Sequence, residues 1–306
     1  MFCFTRTLAL LLLSAFISPA VAAESDIAPV GTHRGGNEKW GYANSRGEIV
    51  IPATFAYASE FTPNGLARVS VGQKSGYIDK TGKFVIPAKY DHAEDFTPNG
   101  LARVSEDRKF GYINAAGEVV IALQFQGADS FGPNGLAAAM QGWRMGYIDE
   151  KGTFVIPPVY FFAAKFSAVG LARVELDNGK RAYIDRTGKK AFEDEFDDAG
   201  DFSEQGEALV RKNGKAFIID RNGKFVREFH QEANPVADQI FRPAANGLSL
   251  ARKEKLWGFL DASKNWVIPP QYIWAKGFNS VGLAPVVKDK KAFYINAKGE
   301  YVLEVD

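Results

Sequence analysis

The sequence predicts an all-β protein, an array of about eight three-stranded antiparallel repeats. Three observations point there. The phrase SGYIDKTGKFVIPAKYDHAEDFTPNGLARVS, residues 75–105, returns in altered form along the 306 residues. A Gly-aromatic landmark recurs at Tyr42, Tyr77, Tyr112, Tyr147, Tyr183, Phe217, Phe259 and Tyr294, spaced 35, 35, 35, 36, 34, 42 and 35 residues apart. Short apolar runs alternate with Gly, Pro, Asn and Asp, the punctuation of strands and tight turns.

Each unit reads as three strands, GLARV, GYID and FVIP. GLARV follows a PNG turn at Pro63, Pro98 or Pro133. After GYID, Asp79 is followed by Gly82, Asp149 by Gly152, Asp185 by Gly188 and Asp220 by Gly223, with Asp261, Gly117 and Gly299 in the same turn elsewhere. Asp opens such a turn by accepting backbone hydrogen bonds, and Gly takes the left-handed conformation that closes it. A row of aspartates at this spacing is turn chemistry rather than a metal site. Lys264 stands where one copy needs Gly, which predicts a reshaped turn.

FVIP ends in proline at Pro52, Pro87, Pro157 and Pro269, which predicts that this strand is an edge or stops there. Apolar residues fall on both faces of the meander, Phe84 and Ile86 on one and Val85 on the other. No unit can bury both faces alone, so neighbours must cover them. IAPV at 27–30 resembles LAPV at 283–286 and supplies a diverged first strand. The units fall near 24–65, 66–100, 101–135, 136–170, 171–206, 207–247, 248–282 and 283–306. Three strands per unit and a repeat shorter than a propeller blade predict an open, curved, solenoid-like stack, with a closed ring or propeller-like arrangement as the alternative.

KWGYANSRGEIVIP at 39–52 and LWGFLDASKNWVIP at 256–269 resemble the WG repeat family, and the likeness extends over almost the whole chain after residue 23. The glycines and aromatics that carry it are Gly41–Tyr42, Gly76–Tyr77, Gly111–Tyr112, Gly146–Tyr147 and Gly258–Phe259. Where the family has Trp, other copies carry Ser75, Phe110, Met145, Arg181, Lys215 and Ala292; Gly gives way to Ala182, Ala216 and Phe293. The resemblance implies an all-β repeat array in bacterial, often exported, proteins without assigned catalytic residues.

Residues 1–23 read as a signal peptide: Arg6, an apolar run from Leu8 to Ile17, then small residues up to Ala22 and Ala23. Export to the periplasm or beyond is therefore expected, with 24–306 as the repeat domain and no membrane insertion. Cys3, the one cysteine, lies in the leader, so the processed chain has no disulfide. Removing Arg6 from 37 basic residues leaves the charge balanced against 36 acidic ones, which gives nucleic acid no general attraction.

Arg68, Arg103 and Arg173 share one repeat position and could form a row that grips carboxylates or phosphates, or could pair with acids such as Glu94 and Asp95. Trp257, Trp266 and Trp274 cluster late in the chain. Trp266 replaces Phe84 and is expected in the core; Trp274, in a crossover, is the aromatic best placed to stack on a sugar. The acidic run AFEDEFDDAGDF, residues 191–202 with its acids at 193–201, lacks the spacing of a calcium loop. His33, His92 and His230 fall at unrelated positions. The 42-residue interval predicts an enlarged loop at 231–247. No catalytic motif or cofactor fingerprint is present. The expected function is a non-enzymatic scaffold for an unknown protein partner, with cell-wall or other polysaccharide binding as the alternative and a glycan-active enzyme third.

Overall fold

The computed structural model describes residues 26–32, 38–229 and 239–305. Among these residues all regular structure is β, in eight antiparallel sheets. The expected leader at 1–23, with His33 and His230, lies outside them. No helix among them is long and apolar enough to cross a membrane. The first sheet holds β1 (Ile27–Thr32), β2 (Lys39–Asn44) and β3 (Ile49–Phe55) in that order. The second holds β4 (Tyr57–Ala58), β5 (Ala67–Val71), β6 (Lys74–Ile78) and β7 (Phe84–Tyr90). The three expected strands are thus joined by a fourth, short one, formed at the start of the crossover.

The turn after GYID works as its composition dictates. Asp79 Oδ1 accepts from the backbone N–H groups of Thr81 (2.9 Å) and Lys83 (3.1 Å), and Gly82 has φ +83°. The Thr81 hydroxyl, followed by those amides, holds the Asp79 carboxyl below the usual carboxylate range. At Lys264 the expectation of a reshaped turn fails. Lys264 itself takes φ +64° and its N–H still donates to Asp261 O at 3.0 Å, because Asp261 anchors Asn265 N at 2.8 Å and leaves the chain no other path.

The glycines of this turn also correct the sequence reading, which gave them a local role only. Gly152, Gly188 and Gly223 take the expected left-handed conformation, yet each is also pressed against the preceding unit. A Cβ on Gly152 would lie 2.7 Å from the Ile121 side chain, one on Gly188 3.0 Å from Ile156, and one on Gly223 2.6 Å from Phe192. These three are therefore junction residues as well as turn residues, because the turn closes over the apolar side chain that the neighbouring outer segment presents.

FVIP is an edge strand, as one of the two expectations had it, but it does not end at its proline. The strand runs on to Tyr90, with Ile86 paired to Tyr77 and Tyr90 to Ser75, so Pro87, Ala88 and Lys89 together face the single residue Gly76. Proline sits in this wide bulge, where no ladder N–H is needed. The bulge bends the strand so that, one residue later, β8 (His92–Ala93) pairs with the third sheet. It also drives the strand onto Gly76, where a Cβ would lie 2.5 Å from Ile86 O. Gly41, Gly111, Gly146 and Gly258 sit under the same crossing, with a Cβ at 2.3–2.5 Å from the equivalent carbonyl. The glycine of the repeated dipeptide therefore exists to let one strand serve two sheets.

Where glycine is lost, the crossing changes. In the sixth sheet Phe217 pairs with Glu228 and Ile218 with Arg227 in regular register, and in the eighth Phe293 pairs with Glu304 and Tyr294 with Leu303. Neither outer strand runs directly into a following sheet. Beside Ala182 in the fifth sheet the outer strand is reduced to two isolated bridges. The register also corrects the landmark: Leu209 faces Ile218 as Arg68 faces Tyr77, so Ile218 holds the tyrosine position, Phe217 the glycine position and Ala216 the tryptophan position.

Successive sheets are clamped by one repeated contact. The hydroxyls of Tyr42, Tyr77, Tyr112, Tyr147 and Tyr183 donate to the carbonyls of Ser59, Glu94, Asp129, Ala164 and Gly200 in the next sheet, at 2.5–2.9 Å. Each ring packs on a phenylalanine there, Phe61, Phe96, Phe131, Phe166 or Phe202, with centroids 4.7–4.9 Å apart. Apolar clusters fill every junction from the first sheet to the sixth, and that between the seventh and eighth.

The first and last sheets also meet. Val30 and Ala43 pack with Leu283 and Tyr294, and Gly31 N donates to the Tyr294 hydroxyl at 2.8 Å. Of the two geometries weighed from sequence, the structure thus follows the ring-like one in bringing its first and last described sheets together, and each of these sheets covers the other where an open stack would need a polar cap. IAPV is confirmed as a strand of the first sheet, β1. The junction between the sixth and seventh sheets departs. Ile218 and Pro243 replace the tyrosine and phenylalanine, and no cluster of buried residues spans it among the described residues. Of the enlarged loop expected at 231–247, Gln239–Pro243 is strand and 230–238 lies outside the described residues.

Gly76→Ala is expected to cost about 3 kcal/mol or more, by strand displacement, whereas Ala182→Gly should cost no more than about 1 kcal/mol. Urea denaturation of both variants checks this. Burial raises the phenols of Tyr42, Tyr77, Tyr112, Tyr147 and Tyr183 far above their ordinary value and those of Tyr272 and Tyr294 to about 12. The folded chain keeps these protons while the unfolded chain releases them from about pH 10, so their contribution is complete below about pH 10 and is lost as pH rises through the folded values. The urea midpoint should therefore drop between about pH 8 and about pH 11.

Candidate interaction surface

The charged candidates are occupied with one another. Arg68 Nε lies 3.1 Å from Asp95 Oδ1 in the next sheet, and its guanidinium stacks over Tyr57 at 4.6 Å. Arg173 pairs with Asp201 at 3.2 Å and stacks over Phe162. Arg103 pairs with Glu94 at 2.5 Å and donates to Ala128 O. Each Arg reaches an acid or carbonyl at a junction instead of forming a row open to a ligand. The acidic run is likewise paired: Asp194 with Lys212, Glu195 with Lys190, Asp197 with Lys180. The Lys190 ammonium and then Asn178 hold Glu195 below the usual carboxylate range, and Lys180 does so for Asp197. No group of three or more metal-ligating side chains forms among the described residues.

The tryptophans are dispersed by the fold. Trp266 is half-buried in the seventh sheet, paired with Leu260, close to its expected core position. Trp257 pairs with Tyr272 and packs on Phe241 at 5.8 Å. Trp274 is not in a loop; it is half-buried in the two-residue strand Trp274–Ala275, opposite Val287. Trp40 approaches it across the meeting of first and last sheets, with Lys276 Nζ 5.6 Å from the Trp40 ring centre and 5.4 Å from that of Trp274.

Trp143 is different. It sits at the tip of the hairpin between Ala137–Gln141 and Arg144–Ile148, with 90% of its surface exposed. The adjacent Arg144 donates to Val159 O at 3.5 Å, stacks over Phe161 at 5.4 Å and pairs with Asp177, drawing the hairpin onto the strand that crosses into the fifth sheet. That strand exposes 56% of Val159, 61% of Phe161 and 40% of Phe162. Val159 stands in the bulge opposite Gly146, and Phe161 and Phe162 follow it through the crossing.

Register shows what is unusual here. The residues equivalent to Trp143, Val159, Phe161 and Phe162 are Gln73, Lys89, Asp91 and His92 at the second sheet, and Arg108, Gln124, Gln126 and Gly127 at the third. There the hairpin meets the crossing strand through charge, as in the 2.7 Å pair of Lys74 with Asp91. At the fourth sheet the same face is apolar and large. An exposed aromatic cluster rimmed by an Arg–Asp pair has the composition of a protein-recognition surface. The sequence carried the signal in the comparison of copies: Trp143 and Phe161 are the apolar members of columns that are polar in the two preceding units.

The family model described as "WG containing repeat" matches residues 40–74, 76–110, 110–142, 145–180, 182–215 and 257–291. The matched stretches skip 216–256, where the dipeptide register and the junction both depart. Among solved structures, "Crystal structure of the eukaryotic initiation factor" is similar with a TM-score of 0.56 at 11% identity, over 92% of this chain and 97% of that one. BamB from Moraxella catarrhalis gives 0.39 at 14% identity over 77% of each chain. Hsv2 from Kluyveromyces lactis gives 0.40 at 10% identity over 75% of this chain and 89% of that one. Of these only the first bears on the fold, and at that identity on nothing else. No curated protein matches this chain.

Trp143→Ala should leave the urea midpoint within about 0.5 kcal/mol of the parent, since the side chain has little to lose on unfolding. A larger loss would assign Trp143 to the fold and remove it from recognition.

Proposed function

This chain belongs to the WG containing repeat family, and from that premise we propose that it is an exported, non-enzymatic scaffold that binds another protein through the aromatic face around Trp143. The exposure of Trp143 and Phe161 beside Arg144 is the observation that carries this reading. Large aromatics and Arg are the residue types that anchor protein interfaces, and a rigid β scaffold spares them the entropy of ordering on binding. Support for the non-enzymatic reading is that the acids singled out from sequence are engaged in turns and in ion pairs between repeats. Support for export is the leader pattern of residues 1–23.

A photo-cross-linking amino acid placed at position 143, with position 108 on the third sheet as control, tests the reading in cells that export the protein. A discrete cross-linked protein at 143, absent at 108 and lost in Phe161→Ser, is expected. Equal labelling at both positions would remove this face from consideration. Salt-resistant co-sedimentation of the processed chain with protein-free cell-wall sacculi, lost in Trp274→Ala, would replace the protein partner with a polysaccharide.

A further inference from the structure

Six segments in this chain make the same kind of strand addition: Tyr57–Ala–Ser–Glu–Phe61, His92–Ala–Glu–Asp–Phe96, Gly127–Ala–Asp–Ser–Phe131, Phe162–Ala–Ala–Lys–Phe166, Asp198–Ala–Gly–Asp–Phe202 and Trp274–Ala–Lys–Gly–Phe278. Each arrives at the edge of a sheet as a two-residue strand. Its alanine is buried in the junction, from 1 to 8% exposed, because the slot between two sheets has room for a methyl group. Its phenylalanine covers the aromatic ring of the preceding sheet. Its backbone donates to the edge strand, in the second sheet from Ala56 N to Ser70 O (2.8 Å) and from Ser59 N to Arg68 O (2.9 Å).

The first sheet has the edge and no such segment among the described residues. Its order is β1-β2-β3, with β1 in the place of β5. Register makes Gly31, Val30 and Pro29 the equivalents of Ser70, Val69 and Arg68. Tyr294 of the eighth sheet stands where Tyr77 stands one junction along, and its hydroxyl accepts from Gly31 N at 2.8 Å. A cleft at this point is lined by Gly31, Trp40, Trp274, Lys276, Pro285 and Tyr294. In sequence, the alanine of the segment precedes the first alanine of the following strand by nine residues in the second to sixth and eighth sheets; counted back from Ala28, the same interval falls on Pro19, with Ala22 at the interval of the phenylalanine. Proline cannot donate to the edge and alanine cannot cover the tyrosine ring. Both also belong to the expected leader.

We infer that the β1 edge, with its Trp40–Trp274–Lys276 cleft, is a docking site for an extended segment of a partner protein, of the form small residue, two polar residues, phenylalanine. The partner strand adds to β1 by donating to Pro29 O and Gly31 O, places its small side chain over Val30 and lays its phenylalanine on Tyr294. Acidic residues between these two anchors meet Lys276, whose exposed ammonium does what Arg68 does for Asp95. This site is separate from the Trp143 face and stands or falls without it.

The probe is a labelled peptide with the sequence DHAEDFT, residues 91–97, titrated into the protein purified from an exporting host. Saturable binding is expected. Replacing the peptide's Ala with Leu or its Phe with Ala should weaken it about tenfold or more. Lys276→Glu, an exposed change that leaves folding unaltered by circular dichroism, should weaken it about fivefold. A photoreactive phenylalanine analogue in the peptide should label Tyr294 or Trp40. Four results would overturn the inference: no saturable binding up to about 1 mM, equal affinity for the Leu-substituted peptide, labelling confined to another junction, or self-association of the protein that excludes the peptide and so makes a second copy the occupant.

Discussion

The structure depends on one strand being shared by two sheets. The bulge that places Pro87, Ala88 and Lys89 opposite Gly76 turns β7 out of its own ladder and delivers His92–Ala93 to the next. That turn is feasible only where the facing residue has no Cβ, because the Ile86 carbonyl passes directly over it. Everything downstream follows from this passage. The crossing fixes the spacing between sheets, brings the following Ala and Phe onto the preceding tyrosine, and sets that tyrosine's hydroxyl against a carbonyl that would otherwise be buried without a partner. The aromatic ring serves the junction and the glycine the crossing, while the bulge between them tolerates proline without demanding it, since Ala122 stands there in the third sheet.

The same constraint explains where the pattern lapses. Phe217 and Phe293 replace glycine in two sheets where the three-residue bulge opposite that position is missing, and in both the ladder stays in register there. Between the sixth and seventh sheets the crossing, the tyrosine and the phenylalanine are lost together, as expected of parts of one device. At the meeting of first and last sheets the tyrosine survives, and Val30, Ala43, Leu283 and Tyr294 hold the junction by apolar packing together with the hydrogen bond from Gly31 N to the Tyr294 hydroxyl. Proteins assembled from repeats are stable as a sum of such interfaces, so each lapse is a local softening that the other junctions offset.

Repetition also sorts structure from recognition. Residues that recur do so because every copy faces the same geometric problem: Asp79 and its counterparts hold turns, and Arg68 and Arg173 satisfy acids at junctions. Some exposed positions also recur, as Val50, Val85, Val120, Val155 and Val267 do, but at the hairpin tips and crossings the copies diverge. Trp143, Val159, Phe161 and Phe162 fill columns that hold Gln73, Lys89, Asp91 and His92 two units earlier. The repeated scaffold thus leaves its exposed hairpin and crossing positions open to change from one unit to the next.

The sequence by itself determined the repeat, the strand content, the turn chemistry, the diverged first strand at 27–30 and the family, because each is written locally in spacing and residue type. It also contained the Ala-x-x-Phe segments and the odd apolar members of polar columns, although their meaning needed a register to compare them. Tertiary structure alone decided that FVIP continues past its proline, that Lys264 keeps the turn, that Ile218 rather than Phe217 holds the tyrosine position, and that the first and last described sheets meet. It also decided that Gly152, Gly188 and Gly223 press on Ile121, Ile156 and Phe192 of the preceding units. These outcomes depend on a strand bending over a glycine in another strand, and on sheets some 250 residues apart packing together. Local pattern cannot encode such contacts, since the partner that selects the outcome is distant in the chain.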